Sequence, residues 1–169
     1  MMRLIVMRHA KSGWDDPTQD DFDRPLNARG VASSRAIGCW LAGRGYVPDQ
    51  VFCSSARRTR ETWAHVAEEL GLNALDARFE QALYLASEDK IEQVLRKATG
   101  QTVLLIAHNP GIGYFAERFA LRRPDHPQFL QYPTAATTVY DVAADRWSKI
   151  RAGDNPVLDF VVPRDLSGR

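Results

Sequence analysis

The chain has 169 residues, of which 44% are hydrophobic and 25% are charged, a composition typical of a folded globular protein rather than a disordered one. It carries 22 Lys and Arg against 21 Asp and Glu, and the resulting net charge of +1 gives no general attraction to nucleic acid or to an anionic membrane. No apolar stretch approaches the roughly 20 residues that a membrane-spanning helix needs, so we expect no membrane association.

The N-terminus enters the apolar run LIVM at once, without the long apolar region and small-residue cleavage site of a secretory signal. Cys39 falls in a helical pattern and Cys53 ends a strand-like run, and we expect both to be reduced thiols. The sequence therefore predicts a cytoplasmic protein. Its length favours a single domain over residues 1–169, with a core from about 3 to 152 and a C-terminal wrapping tail over 153–169.

Short apolar runs alternate with segments of helical period along the chain. The predicted strands are Arg3–Met7, Gln50–Cys53, Thr102–Ala107 and Thr137–Val142. The first and third are continuously apolar, which is typical of parallel strands covered on both faces. One predicted helix starts at an Asn27 cap and runs to about Gly43. Two more are predicted over 63–70 and over 91–98, and a fourth after Pro110, because proline is favoured in the first turn of a helix.

This alternation predicts an α/β fold, a three-layer α/β/α sandwich around a mainly parallel sheet. TTVYDV and RWSKIRA, separated by AAD, look like a hairpin that adds an antiparallel strand at an edge. The last stretch contains Pro156 and Pro163, which is the reason for predicting a wrapping tail there.

Residues suited to anion binding follow three of the predicted strands. Arg8 and His9 follow the first, SSARRTRET follows the second, and His108 with Asn109 follows the third. Ligands of open α/β sheets bind outside the carboxyl ends of the strands, so these residues should share one crevice. Each feature alone also has a purely structural interpretation, as a strand end or a helix start. Their joint occurrence favours a functional site.

The group suits a phosphoryl dianion. Guanidinium groups form paired hydrogen bonds with phosphate oxygens, and the helix after Asn109 presents oriented N–H groups. The chain has no P-loop, no glycine-rich nucleotide motif and no metal-ligand spacing, so we predict chemistry that needs neither metal nor cofactor, with a histidine as nucleophile. Nearby Arg8 and Arg58 should keep His9 neutral, and a protonated His108 should stabilise the transition-state charge.

Five stretches carry a family resemblance: MRHAKSGW, DRPLNARG, SSARRTRET, AHNPGIG and, more weakly, YPTAATTVYD. In this ordered set the chain resembles the histidine phosphatase, or phosphoglycerate mutase-like, superfamily, and within it the SixA-like phosphohistidine phosphatases. The resemblance covers about residues 3–142. It implies a phosphoglycerate mutase-like fold and a hydrolase without a cofactor.

The resemblance also implies roles for individual residues. His9 matches the phosphorylated nucleophile, and Arg8, Arg58 and His108 complete the phosphate pocket. A second group of expected contributors consists of Ser12, Arg24, Asn109 and Arg57, of which Arg57 occupies a position that is usually apolar in the family.

The general acid has no securely matching motif. Glu80 is the best candidate by position, and the acidic loop Asp15–Asp23 is the alternative. A substrate with a P–N bond reduces this need, because imidazole leaves more readily than an alkoxide.

The segment from Leu72 to Gln101 has no room for a large lid, which favours an open pocket and phosphohistidine on a protein as the substrate, in signal transduction. Two alternatives remain at this point: a phosphatase for a small phosphate ester, and a non-catalytic phosphate-binding module. The presence of both His9 and His108 argues against mere binding. A mutase is disfavoured because water would compete in an open site.

Overall fold

A computed structural model describes residues 1–167 of the chain. Its six-stranded sheet has the order β3-β2-β4-β1-β5-β6. The strands are β1 (Met2–Arg8), β2 (Gln50–Ser54), β3 (Arg78–Glu80), β4 (Thr102–Ala107), β5 (Thr137–Val142) and β6 (Val157–Val161). The helices are α1 (Ala28–Gly43), α2 (Arg57–Leu70), α3 (Glu88–Leu95), α4 (Gly111–Phe119) and the short α5 (Pro163–Leu166). The first four strands in the sheet order are mutually parallel, and β5 runs antiparallel to both β1 and β6.

Helices cover both faces of the sheet because the central strand β1 is apolar on both sides. Leu4 and Val6 belong to one hydrophobic cluster, which includes the inward faces of α3 and α4. Ile5 and Met7 belong to the other, with α1 and α2. Alternating side chains of a strand point to opposite faces, so a continuous apolar run fills both layers. The predicted α/β/α sandwich with its mainly parallel sheet is confirmed.

The helix ends follow local capping chemistry. Asn27 caps α1 through its side chain, which accepts a hydrogen bond from the Gly30 N–H at 2.9 Å. Gly71 ends α2 in the left-handed conformation, at φ 71°. Pro110 is the N-cap of α4, one residue earlier than the first-turn position that we predicted, and the Asn109–Pro110 peptide is cis.

The predicted hairpin is wrong. The strand that follows β5 in the chain and pairs with it is β6, which lies in the predicted tail, whereas RWSKIRA contains a 3₁₀ turn at Trp147–Lys149. The Trp147 side chain is buried, and its indole N–H donates to the Gly100 carbonyl at 2.7 Å. This contact anchors the segment beside the start of β4, so the segment does not extend along β5.

The sheet brings the predicted site residues together. Parallel β1, β2 and β4 end at the same edge, where Arg8 of β1 lies beside Ala107 of β4 in the strand register. His9 and His108 are therefore neighbours. Within residues 1–167, no helix has the length and apolar character needed to cross a membrane.

Candidate active site

His9 is held rigidly at the end of β1. Its backbone N–H donates to the Ala107 carbonyl at 3.1 Å, and its own carbonyl accepts from the Ala135 N–H at 3.0 Å. The ring atom Nδ1 lies 2.7 Å from the Ala10 carbonyl. Because a carbonyl oxygen can only accept, Nδ1 must carry the proton, and the neutral ring keeps its lone pair on Nε2. Nε2 is thus the nitrogen of His9 that is free to accept a proton or to attack an electrophile.

The surroundings of His9 keep its imidazole uncharged. Burial is the largest cause, and the cationic Arg8, Arg58 and Arg24 add to it, so that the pKa falls to about 3. The hydrogen bond to the Ala10 carbonyl acts in the opposite direction and is outweighed. At neutral pH the ring is therefore neutral, which a nucleophilic imidazole requires.

Two arginines flank His9 with unused hydrogen-bonding capacity. Arg58, in the first turn of α2, is only 3% exposed and donates to the backbone and side-chain oxygens of Asp21 at 2.7 and 3.0 Å. Arg8 donates to the Tyr132 carbonyl at 3.2 Å. The Nε atoms of both arginines are buried and have no partner among the described residues. Both guanidinium groups can therefore still donate to a bound anion.

His108 stands beside His9, with 5.2 Å between the ring centroids. Its Nε2 lies 2.7 Å from the Ser54 hydroxyl at the end of β2. Burial lowers the pKa of His108 to about 2, and the proximity of His9 and Arg58 adds to this effect. At neutral pH the ring is therefore neutral in the protein alone, and the protonated His108 that we expect in the transition state stays a prediction. A phosphoryl dianion alongside would favour the charged form.

Asp21 is the carboxylate that the fold brings into the pocket. It accepts hydrogen bonds from Arg58 at 3.0 Å, from Arg24 at 3.1 Å and from the Tyr84 hydroxyl at 2.5 Å. Partial burial acts to raise its pKa, but the hydrogen bonds from Tyr84 and Arg58 outweigh it and lower the pKa to about 2. Asp21 is therefore ionised at neutral pH, and it orients the two guanidinium groups.

Ser12 and Arg24 lie in the pocket, as we expected from the sequence. Arg24 donates to the Ser12 hydroxyl at 2.9 Å, and its guanidinium stacks 3.7 Å from the centre of the Trp14 ring. These contacts fix Arg24 in a position from which it faces the same cavity as His9.

Asn109 lines the pocket but uses its amide elsewhere. Its Nδ2 donates to the carbonyls of Gln131 and Tyr132, and its Oδ1 accepts from the Gly113 N–H at 3.2 Å. The Tyr132 carbonyl also accepts from Arg8. Asn109 therefore fixes the segment that positions Arg8, and its amide is not directed at a ligand.

Arg57 and Glu80 are not among the residues that line this pocket. Consecutive residues of an α-helix point about 100° apart, so Arg58 enters the pocket while the half-exposed Arg57 pairs with Glu61 at 2.7 Å. Glu80 pairs with Arg78 at 3.4 Å and faces a separate cleft beside α3. The acidic loop Asp15–Asp23, the alternative source of a carboxylate, contributes Asp21 instead.

The pocket is a shallow cavity of about 540 Å³ that opens to the surface. Trp14 and Leu85 stand at its rim and are 62% and 55% exposed. Leu85 has a φ of 51°, in the left-handed region that is uncommon for residues other than glycine. Within residues 1–167, no cluster of three or more His, Cys, Asp or Glu side chains is arranged to hold a metal ion.

Comparisons with known proteins agree with this geometry. The sequence profile of the histidine phosphatase superfamily (branch 1) matches residues 4–84. An uncharacterized protein of Mycobacterium tuberculosis is 33% identical over 165 residues, covering 94% of this chain and all of that protein. The Agrobacterium tumefaciens protein assigned as phosphohistidine phosphatase SixA is 26% identical, with a TM-score of 0.78 over 96% of this chain and 98% of that one. The protein histidine phosphatase SixA in complex with tungstate is 23% identical, with a TM-score of 0.79 over 98% and 99% of the two chains, and shares the fold.

Proposed function

Because the chain belongs to the histidine phosphatase superfamily and is a SixA-like phosphatase, we propose that it dephosphorylates phosphohistidine on a protein through a phosphohistidine intermediate at His9. The observation that carries the proposal is the contact between Nδ1 of His9 and the Ala10 carbonyl. It leaves a lone pair on Nε2 in a cavity that it shares with Arg8, Arg58 and His108.

In the first step, the Nε2 lone pair of His9 attacks phosphorus. The bond from phosphorus to the imidazole nitrogen of the substrate breaks, and that nitrogen keeps the electron pair and takes a proton from water. Arg8 and Arg58 bind the phosphoryl oxygens, where negative charge is concentrated in the transition state. His108, once it is protonated beside the dianion, donates a further hydrogen bond.

In the second step, water attacks the phosphorus bound to His9. The bond from phosphorus to Nε2 breaks, the electron pair returns to the ring, and a proton leaves to solvent with the release of inorganic phosphate. The same arginines stabilise this transition state. The Ala10 carbonyl holds Nδ1–H in place throughout, so that Nε2 is the only ring nitrogen that reacts.

The leaving imidazole needs little help from an acid, because its nitrogen is protonated readily at neutral pH. This agrees with an ionised Asp21, which organises Arg58 and Arg24 rather than supplying a proton. An alkoxide leaving group would need a protonated acid at this position. The ionised carboxylate is therefore our reason to favour a P–N substrate over a small phosphate ester, which remains the second candidate.

Access to the pocket supports a protein substrate. The rim residues Trp14 and Leu85 are mostly exposed, and the segment between α2 and α3 contains only two 3₁₀ turns and the three-residue β3. A histidine presented on a protein surface can therefore approach His9. We also propose a cytoplasmic location and a role in signal transduction, where phosphohistidine proteins act.

Trapping the intermediate tests this proposal. The protein is incubated with a histidine-phosphorylated phosphotransfer domain labelled with ³²P and quenched in alkali, and the label on the phosphatase is then tested for lability in acid. We expect acid-labile label on His9 in the wild type, and neither label nor turnover in His9→Ala, with an unchanged circular dichroism spectrum. Turnover by His9→Ala would overturn the mechanism.

The substrate class is tested separately. We expect kcat/KM for the phosphorylated domain to exceed that for p-nitrophenyl phosphate, a small monoester. A clear preference for the monoester would favour the second candidate, and binding of both compounds without turnover would favour a binding module.

A further inference from the structure

A groove leaves the catalytic pocket and runs along the N-terminal half of α1. It is a cavity of about 260 Å³ that shares Lys11 and Thr134 with the catalytic pocket. At its other end it continues into a cavity of about 590 Å³ between α1 and α5, with which it shares Arg29 and Arg164. We call this surface the side groove. It is defined by Lys11, Arg29, Ser33, Thr134, Pro163 and Arg164.

The side groove is cationic. Lys11, Arg29 and Arg164 are exposed, and no carboxylate of the described residues forms an ion pair with them or lines the groove. The carboxylate of the adjacent Asp165 makes its contacts elsewhere: Oδ2 lies 3.0 Å from Nε2 of His126 and accepts a hydrogen bond from the Val162 N–H at 3.1 Å. Three positive charges thus lie together on a protein whose net charge is only +1.

The position of Arg29 in its own helix is electrostatically unfavourable. It lies in the first turn of α1, where the helix dipole disfavours a positive charge. That turn is also fixed in place, because the Asn27 N–H donates to the Lys11 carbonyl at 3.0 Å. A Cβ atom on Gly30 would lie 2.1 Å from that same carbonyl oxygen. The chain therefore fixes the backbone of a cationic residue beside the pocket, at a small cost to helix stability.

We propose that the side groove binds an acidic segment of the phosphorylated protein, next to its phosphohistidine. This inference rests on the proposed function, since the phosphoryl group in the pocket sets the register of the segment. Carboxylates form paired hydrogen bonds with arginine, which makes Arg29 and Arg164 suitable partners for Asp or Glu. The complementary charges would also speed the encounter of the two proteins at low ionic strength.

Two synthetic phosphohistidine peptides test the groove. One has three glutamates on each side of the phosphohistidine, and the other has glutamines at the same positions. The variant is Arg29→Glu with Arg164→Glu, which changes no residue of the catalytic pocket. The matched control is Arg35→Glu with Arg122→Glu, which reverses two exposed arginines outside the groove.

We expect the wild type and the control to prefer the glutamate peptide by about fivefold in KM at low salt, since each exposed ion pair contributes modestly. The preference should disappear or reverse in the groove variant and shrink with added NaCl, while kcat for p-nitrophenyl phosphate stays unchanged. Equal KM values for the two peptides in the wild type, or an unchanged preference in the groove variant, would overturn the inference. Failure of the wild type to hydrolyse either peptide would instead contradict the proposed function.

Discussion

The two buried imidazoles should make the stability of the fold unusually sensitive to mild acid. In the native protein the pKa values of His9 and His108 are about 3 and 2, whereas an unfolded histidine titrates near 6.5. As the pH falls from 8 to 5, these two histidines therefore become protonated in the unfolded chain but stay neutral in the native protein. The resulting stability is fully present above pH 6.5 and is lost progressively as the pH falls toward 3.

The size of the effect hardly depends on the native pKa, provided that this pKa lies well below 5. For an unfolded pKa of 6.5, each histidine costs about 2 kcal/mol of unfolding free energy at pH 5 relative to pH 8. His9→Asn removes one titrating group, and the Asn amide can still donate to the Ala10 carbonyl. Asp21 has a native pKa of about 2 and an unfolded Asp titrates at about 3.9, so the stability that Asp21 contributes is lost in the same direction but only below this window.

Urea unfolding at pH 5 and pH 8 measures the difference directly. We expect the wild type to lose about 4 kcal/mol through His9 and His108 together, and His9→Asn to lose about 2 kcal/mol less than the wild type. His108→Asn should behave in the same way. Equal losses of unfolding free energy in the wild type and in His9→Asn would refute the conclusion that His9 stays neutral in the native protein at pH 5.

The remaining predictions concern the pocket and its support. Arg58→Lys should lower kcat/KM about 10- to 100-fold because the paired hydrogen bonds to phosphate are lost, whereas Arg57→Lys should leave it unchanged. Steady-state kinetics on the phosphorylated domain should show a roughly three- to tenfold decrease in kcat/KM for Asp21→Asn and none for Glu80→Gln. A decrease for Glu80→Gln and none for Asp21→Asn would make Glu80 the candidate general acid again. Gly30→Ala should lower Tm by about 5–10 °C because its Cβ would clash with backbone, and an unchanged Tm would contradict that packing. Turnover should persist in excess EDTA, and a loss that added metal restores would contradict metal-free chemistry.

The strands and helices that could be predicted are those with a strong local pattern. The continuous apolar runs of β1 and β4 correspond to strands because such runs can be buried on both faces only inside a covered sheet. β3 was missed because three residues carry no periodicity. β6 was missed because Pro156 and Pro163 suggested irregular structure, although both lie just outside the strand and leave its ladder intact.

The positions of His9 and His108 in the pocket could be predicted from the sequence, because each residue directly follows a strand. Asp21 was not singled out, because its position depends on contacts with Arg58 and Tyr84, which are 37 and 63 residues away in sequence. No local pattern identifies which carboxylate of an acidic loop will meet them. The acidic character of Asp15–Asp23 was the available signal, and it indicated a region rather than a residue.

The stacking of Arg24 on Trp14 gives the protein an optical probe of its own pocket. The chain has four tryptophans, and the other three, Trp40, Trp63 and Trp147, are not among the residues that line the pocket. Trp14 is largely exposed and touches a guanidinium that faces the cavity. An anion that draws Arg24 toward itself changes the environment of this one indole, so intrinsic fluorescence can follow occupancy of the pocket without any label.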